Sequence, residues 1–302
     1  MKDHYSLSPV GNSLARAGEG RYSSRSGADK TSRNADTREA TMTESISLGL
    51  SPCPNDTYIF GALLQGRIDT SPSSIRPTLA DVQTLNEMAL RGEPDVVKIS
   101  VAAYGMVSGE YELLRSGGAL GRGCGPLLVS GRPLAPSDLK GLRIAVPGRL
   151  TTAFLLMQRL GAEPREILEV SYERVMPAVV AEDADAGLVI HEGRFTYPAH
   201  GLHKVLDLGS WWEETTGLPV PLGVIAARRS LGEGFRAWME ERIRRSLEEA
   251  ERAPDELWPF IRDCAQEMDQ ATIREHIDTF VTGFTRDMGP EGEEAIQRLV
   301  RG

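Results

Sequence analysis

The stretch ISLGLSPCPNDTYIFGALLQG, residues 46–66, runs from an apolar strand-like segment through a Pro-rich loop into an apolar helical segment. Strand, short loop and helix form the unit from which parallel α/β sheets are built, because a parallel partner strand needs the crossover that a helix supplies. Within the loop, Pro52 and Pro54 stiffen the exit from the strand. Asn55 and Asp56 stand where the helix, expected from about Thr57, begins. Cys53 has no partner at metal-ligand or C-x-x-C spacing, so no redox or metal role follows from it.

The same alternation continues outward. DVQTLNEMALRG, residues 81–92, reads as a helix capped by Asp81, with Val82, Leu85, Met88 and Ala89 on one face and Gly92 as its stop. DVVKIS (95–100) is a short strand, VAAYGMVSG (101–109) a short helix, and PLLVS (126–130) a buried strand. A second series begins near Pro136. Its strand ends at VPG, its helix TTAFLLMQRLG (151–161) opens on Thr151 and Thr152, and a further strand at about Ala186 to Ile190 delivers His191 at its C-terminal end. WWEETTGLPVPLG (211–223) reads as a turn-rich connection, VIAARR (224–229) as a strand, and the remainder as amphipathic helices. Two α/β series with a return to the first predict two lobes around a cleft, and such clefts collect ligands at strand C-termini and helix N-termini.

The 302 residues carry a formal net charge of -9 and no basic stripe, which speaks against nucleic-acid or anionic-membrane partners. No run reaches the roughly 18 apolar residues of a membrane span. Three well-separated cysteines, Cys53, Cys124 and Cys264, fit buried thiols in a reducing compartment, and with no visible export signal the expected location is cytoplasmic. Residues 1–42 are rich in Ser, Arg, Gly, Asp and Asn, with seven Lys or Arg against five Asp or Glu. They read as a disordered leader, with Met42 the expected start of the folded part.

Four loops fall at the cleft end: SPCPND, the end of DVVKIS, VPGRLTTA and VIHEGRFTY. VPGRLTTA reads either as a carboxylate site made of the Thr152 and Ala153 N–H groups and a threonine hydroxyl, or as a Pro-Gly turn with threonine capping. Lys98 and Ser100 are either solvated strand-end residues or donors to an acidic ligand. His191 is the preferred general base among five histidines because it stands beside the other three loops. His4 falls in the leader, His200 and His203 read as exposed, and His276 reads as a surface or partly buried structural residue. Glu192 and Arg194 read as ordinary loop charges, and Trp211 and Trp212 as core between the lobes. GGALGRGCG lacks the spacing of a phosphate loop and reads as a hinge or crossover.

Together, SPCPNDTYIFGALL, ADVQTLNEMAL, KISVAAY, LRSGGALGRGCGPLLV, IAVPGRLTTAFLL, AGLVIHEGRFTYP and DLGSWWEETTGLPVPLG resemble the 1,4-dihydroxy-6-naphthoate synthase family of menaquinone biosynthesis, in order and spacing from about Ser47 onward. The resemblance implies an α/β fold like that of type II periplasmic binding proteins. Lobe 1 would comprise residues 43–132 and 222–302, with lobe 2, residues 133–221, inserted in it. It implies a lyase that cleaves cyclic dehypoxanthine futalosine, a small-molecule carboxylate, with no metal or organic cofactor. It further implies His191 as proton acceptor, Lys98, Ile99, Ser100, Thr152 and Ala153 as substrate contacts, and Asn86 as a polar residue near the pocket. The alternatives are a non-enzymatic solute-binding protein of the same fold and the related chorismate dehydratase, against which the histidine of IHEGRFTY weighs. Oligomeric state is left open.

Overall fold

The computed structural model describes residues 45–265 and 269–301. The expected leader, with His4 and Met42, lies outside the described residues. The chain begins with β1 (Ser45–Leu50), α1 (Pro54–Leu64), β2 (Ser74–Leu79), α2 (Val82–Leu90), β3 (Val96–Ser100), α3 (Val101–Val107) and β4 (Tyr111–Gly121). It then crosses to β5 (Leu127–Ser130), β6 (Arg143–Val146), α4 (Thr152–Arg159), β7 (Glu166–Glu169), α5 (Tyr172–Val180), β8 (Ala186–Val189), α6 (Gly193–Thr196), β9 (His203–Asp207) and α7 (Leu208–Thr216). It returns through β10 (Val220–Arg228) to α8 (Gly232–Arg252), α9 (Pro254–Cys264), α10 (Gln270–Phe280), α11 (Gly283–Arg286) and α12 (Gly289–Arg301).

Two five-stranded sheets result, ordered β2-β1-β3-β10-β4 and β7-β6-β8-β5-β9. Strands β1, β2 and β3 are parallel, as are β6, β7 and β8, but β10 runs antiparallel to β3 and β4, and β5 antiparallel to β8 and β9. The sheets are therefore mixed rather than wholly parallel. The cause is the return: a chain that leaves one sheet by β4 and comes back beside it in β10 lays the two strands in opposite directions. Strand β5 hydrogen-bonds into the second sheet, although the division at residue 132 assigns it to the first lobe.

Local signals explain most element ends. Asp81 accepts from the N–H of Thr84 at 3.0 Å, and Thr151 accepts from Phe154 at 3.2 Å, as N-caps should. Helix α1 starts at Pro54, three residues ahead of Thr57, because the fixed φ of proline suits the first helical position. Of the segment expected to be a turn-rich connection, residues 211–216 instead lie in α7 and residues 220–223 begin β10. Asp207 caps α7 through the N–H groups of Gly209 and Ser210, and Gly217 closes it at φ 74°. Trp212 is buried, with Nε1 donating to the Pro219 carbonyl at 3.0 Å.

Helix α1 packs against α8, α9 and α10 on one face of the first sheet, around Leu48, Phe60, Ile225 and Met239. A second apolar cluster runs without a break from Leu85 and Ile99 of the first sheet side to Leu128, Val146 and Leu188 of the second, so the two halves share a core beneath the cleft. At the outgoing crossing, a Cβ on Gly125 would meet Cα of Gly209 at 2.2 Å, an approach only glycine permits. Among the described residues no helix is long and apolar enough to cross a membrane.

Candidate active site

The C-terminal ends of β1, β3, β6 and β8 meet at one cavity of about 90 Å³. Period-two alternation in β3 turns Lys98 and Ser100 to the cavity and sends the fully buried side chain of Ile99 to the core behind it. Of the expected contacts, Lys98, Ser100, Thr152, Ala153 and His191 line this cavity. The Ile99 side chain does not, and Asn86 stands one layer back. The Nδ2 of Asn86 donates to Ser100 Oγ at 3.0 Å and to the Leu150 carbonyl at 3.2 Å, while its Oδ1 accepts from the Ser100 N–H at 2.8 Å. Asn86 thus ties the end of β3 to the loop before α4.

Two expectations about charge and donors change. Lys98 is buried and ion-paired with Asp56 at 2.5 Å, so its charge is matched inside the protein. Asp56 also accepts from the Ser51 N–H and Oγ and from Asn55 Nδ2, which places a residue of the SPCPND loop in the cavity wall as a hydrogen-bonded anion. The hydroxyl of Thr152 donates to the Leu222 carbonyl at 2.6 Å, and that of Thr151 to the Gly148 carbonyl at 2.8 Å. What α4 offers a ligand is therefore backbone N–H groups at the positive end of the helix, not a spare hydroxyl.

His191 sits at φ 52°, one of two non-glycine residues with positive φ among those described. Such a conformation turns the chain sharply out of β8 and aims the ring at the cleft. Its Nδ1 lies 3.5 Å from Cys53 Sγ, its ring meets Tyr172 edge-on at 5.1 Å, and it stacks on His276 at 6.1 Å with planes 16° apart. Burial, reinforced by the Lys98 cation, lowers its pKa to about 4 against the opposing pull of Asp56 and Asp81, so the imidazole is neutral near pH 7. Burial likewise pushes the Cys53 thiol far up and the Cys124 thiol to about 12, leaving both protonated. Arg194 is a tie rather than a ligand group. It donates to the Gly125 carbonyl at 2.6 Å and pairs with Asp207 at 2.9 Å across the outgoing crossing.

Sequence reasoning missed Asp56, Tyr172 and His276. For His276 the signal was present, since Ile273, His276 and Phe280 recur at helical spacing and all three are buried. Tyr172 opens α5 directly after β7, at the same sheet end as the cavity, but nothing local marks it. His200 and His203 are exposed. No group of three or more His, Cys, Asp or Glu among the described residues is arranged to hold a metal ion.

A family model described as menaquinone biosynthesis matches residues 46–302. The chain belongs to this menaquinone-biosynthesis family. Relatives in the family include the 1,4-dihydroxy-6-naphthoate synthase of Thermus thermophilus, 52% identical over 256 residues, which span 85% of this chain and 93% of that protein. The enzyme of the same name from Streptomyces coelicolor is 44% identical over 262 residues, spanning 85% and 92%. A solved structure of an Archaeoglobus fulgidus protein is similar at 34% identity and a TM-score of 0.80, over 85% of this chain and 96% of that one. The periplasmic aliphatic sulphonate binding protein SsuA of Escherichia coli, 11% identical with a TM-score of 0.61 over 85% of each chain, shares the fold alone. This chain thus has the two-sheet α/β fold seen in periplasmic binding proteins.

Proposed function

We propose that this chain is a cytoplasmic 1,4-dihydroxy-6-naphthoate synthase that cleaves cyclic dehypoxanthine futalosine and releases a sugar-derived, dihydroxyacetone-type fragment, without metal or organic cofactor. The observation that carries the reading is the neutral imidazole of His191 in a cavity wall shared with Lys98, Ser100 and the start of α4, in a chain 52% identical to a synthase over 93% of that relative.

In this reading His191 takes a proton from the substrate. The electron pair left behind becomes a double bond of the nascent aromatic ring as the carbon-carbon bond to the sugar portion breaks. The bonding pair leaves on the sugar fragment, which takes up a proton, and aromatisation of the bicyclic product drives the step. A base held neutral keeps its lone pair free near pH 7, and because its cation is disfavoured it readily returns the proton it has taken. The substrate carboxylate is held at the start of α4, where Thr152 and Ala153 present N–H groups at the positive helix end. Lys98 supplies further N–H donors from its pair with Asp56, and Asn86 holds Ser100 in place. A cavity of about 90 Å³ has room for several waters, whereas ligand sites usually reach roughly 300 Å³ or more. The substrate therefore occupies more of the cleft than this cavity, and the two halves part to admit it.

The test is incubation of purified protein with cyclic dehypoxanthine futalosine while following the appearance of the naphthoate. Product formation is expected. Tight binding with no conversion would instead make this a solute-binding protein on the same scaffold.

A further inference from the structure

Among the described residues, four buried side-chain nitrogen or oxygen atoms have no hydrogen-bond partner: Tyr172 Oη, Nδ1 and Nε2 of His276, and Arg242 Nε. Arg242 lies apart on α8, over the ring of Trp238. The other three belong to the two rings that contact His191. A buried polar atom without a partner is destabilising, a penalty that an apolar side chain of similar size would not carry. Among the described residues none gives these atoms a hydrogen bond.

The rings come from opposite sides of the cleft. Tyr172 opens α5 beside the second sheet, and His276 lies on α10, which packs with α1 on the first. The His191–His276 stack and the Cys53–His191 contact lie in the plane where the halves meet. Phe280, one turn beyond His276, already lines the cavity, while His276 and Tyr172 stand behind His191. Where the halves part along this plane to admit a ligand larger than the cavity, the two rings that flank His191 open with it.

We infer that Tyr172 and His276 form a polar subsite beside His191 that hydrogen-bonds a neutral oxygen of the ligand, a hydroxyl or a carbonyl. Both groups are uncharged. Burial holds the phenol protonated and keeps the His276 imidazole neutral, so the pair offers two donors together with acceptor lone pairs. That set suits a hydroxyl better than a carboxylate, which goes to the N–H groups of α4. On the proposed function, which this inference rests on, the hydroxyl-bearing sugar portion is what the subsite receives, and it is thereby positioned against the base.

The test uses Tyr172→Phe and His276→Phe, each close to isosteric, measured for melting temperature and for kinetics with cyclic dehypoxanthine futalosine. Because each change removes an unpartnered polar atom, the melting temperature is expected to stay level or rise. Over the same pair of changes kcat/KM is expected to fall about tenfold, as for one lost hydrogen bond of roughly 1.4 kcal/mol. Kinetics within twofold of wild type for both variants would overturn the inference, and so would a lower melting temperature for Tyr172→Phe, which would mean the hydroxyl has a structural job. Wild-type protein is the control: if it forms no naphthoate, the synthase reading itself fails, whereas an active wild type with unaffected variants removes only the subsite.

Discussion

The Sγ of Cys53 lies 3.5 Å from Nδ1 of His191, joining the loop that leaves β1 to the residue that follows β8 across 138 positions of sequence. The contact sets a protonated thiol against a neutral imidazole, and it bridges the two halves at the point where the proposed chemistry occurs. A loop that reads as a stiff turn thus makes one wall of the base's surroundings, while its Asp56 makes another.

Replacing His191 with Asn should leave the fold intact, because Asn is among the residues that accept a left-handed backbone and φ here is 52°. Turnover should fall by about 10²–10⁴. Circular dichroism and product formation measured together check this, and near-wild-type turnover would remove the base assignment.

The acid limb of kcat/KM should lie near pH 4 rather than near the ordinary histidine value of 6.5. Stability follows with a definite sign. Between pH 6.5 and 4 the unfolded chain protonates this histidine while the folded one does not, so protonation favours unfolding and stability declines as pH falls through that window. His276 acts in the same direction. Urea midpoints at pH 7 and pH 4.5 should therefore differ less in His191→Asn than in wild type, and an equal difference would count against the depressed pKa.

Lys98 and Asp56 are both buried, so removing one leaves the other as an uncompensated charge. Asp56→Asn should cost about 3–5 kcal/mol of stability. Asp56→Asn combined with Lys98→Met should recover part of that loss, and urea denaturation of the single and double variants reads the difference.

Thr152→Val deletes the hydroxyl that donates to Leu222 and leaves that carbonyl short of a partner between α4 and β10. A loss of about 1–3 kcal/mol is expected, with a raised KM because the N–H groups at the start of α4 lose their register against the first half. Thr152→Ser should restore both. An unchanged KM in Thr152→Val would separate this helix start from substrate binding.

Short-range physics makes much of this protein legible in its sequence. Alternating apolar runs and helical periodicity yield the α/β order, Asp81 and Thr151 announce their caps, and KIS is read as a strand end that brings Lys98 and Ser100 to the cleft, though Ile99, expected beside them, turns to the core. Each of these depends on residues within a few positions of one another, where backbone geometry leaves few choices. The pairing of Lys98 with Asp56, the engagement of the Thr152 hydroxyl by Leu222, the antiparallel return of β10 and the stacking of His191 on His276 were decided only when the two sheets packed together. Those contacts join segments far apart in sequence. Their partners are selected by burial and by the satisfaction of polar groups across the cleft, which no local pattern encodes.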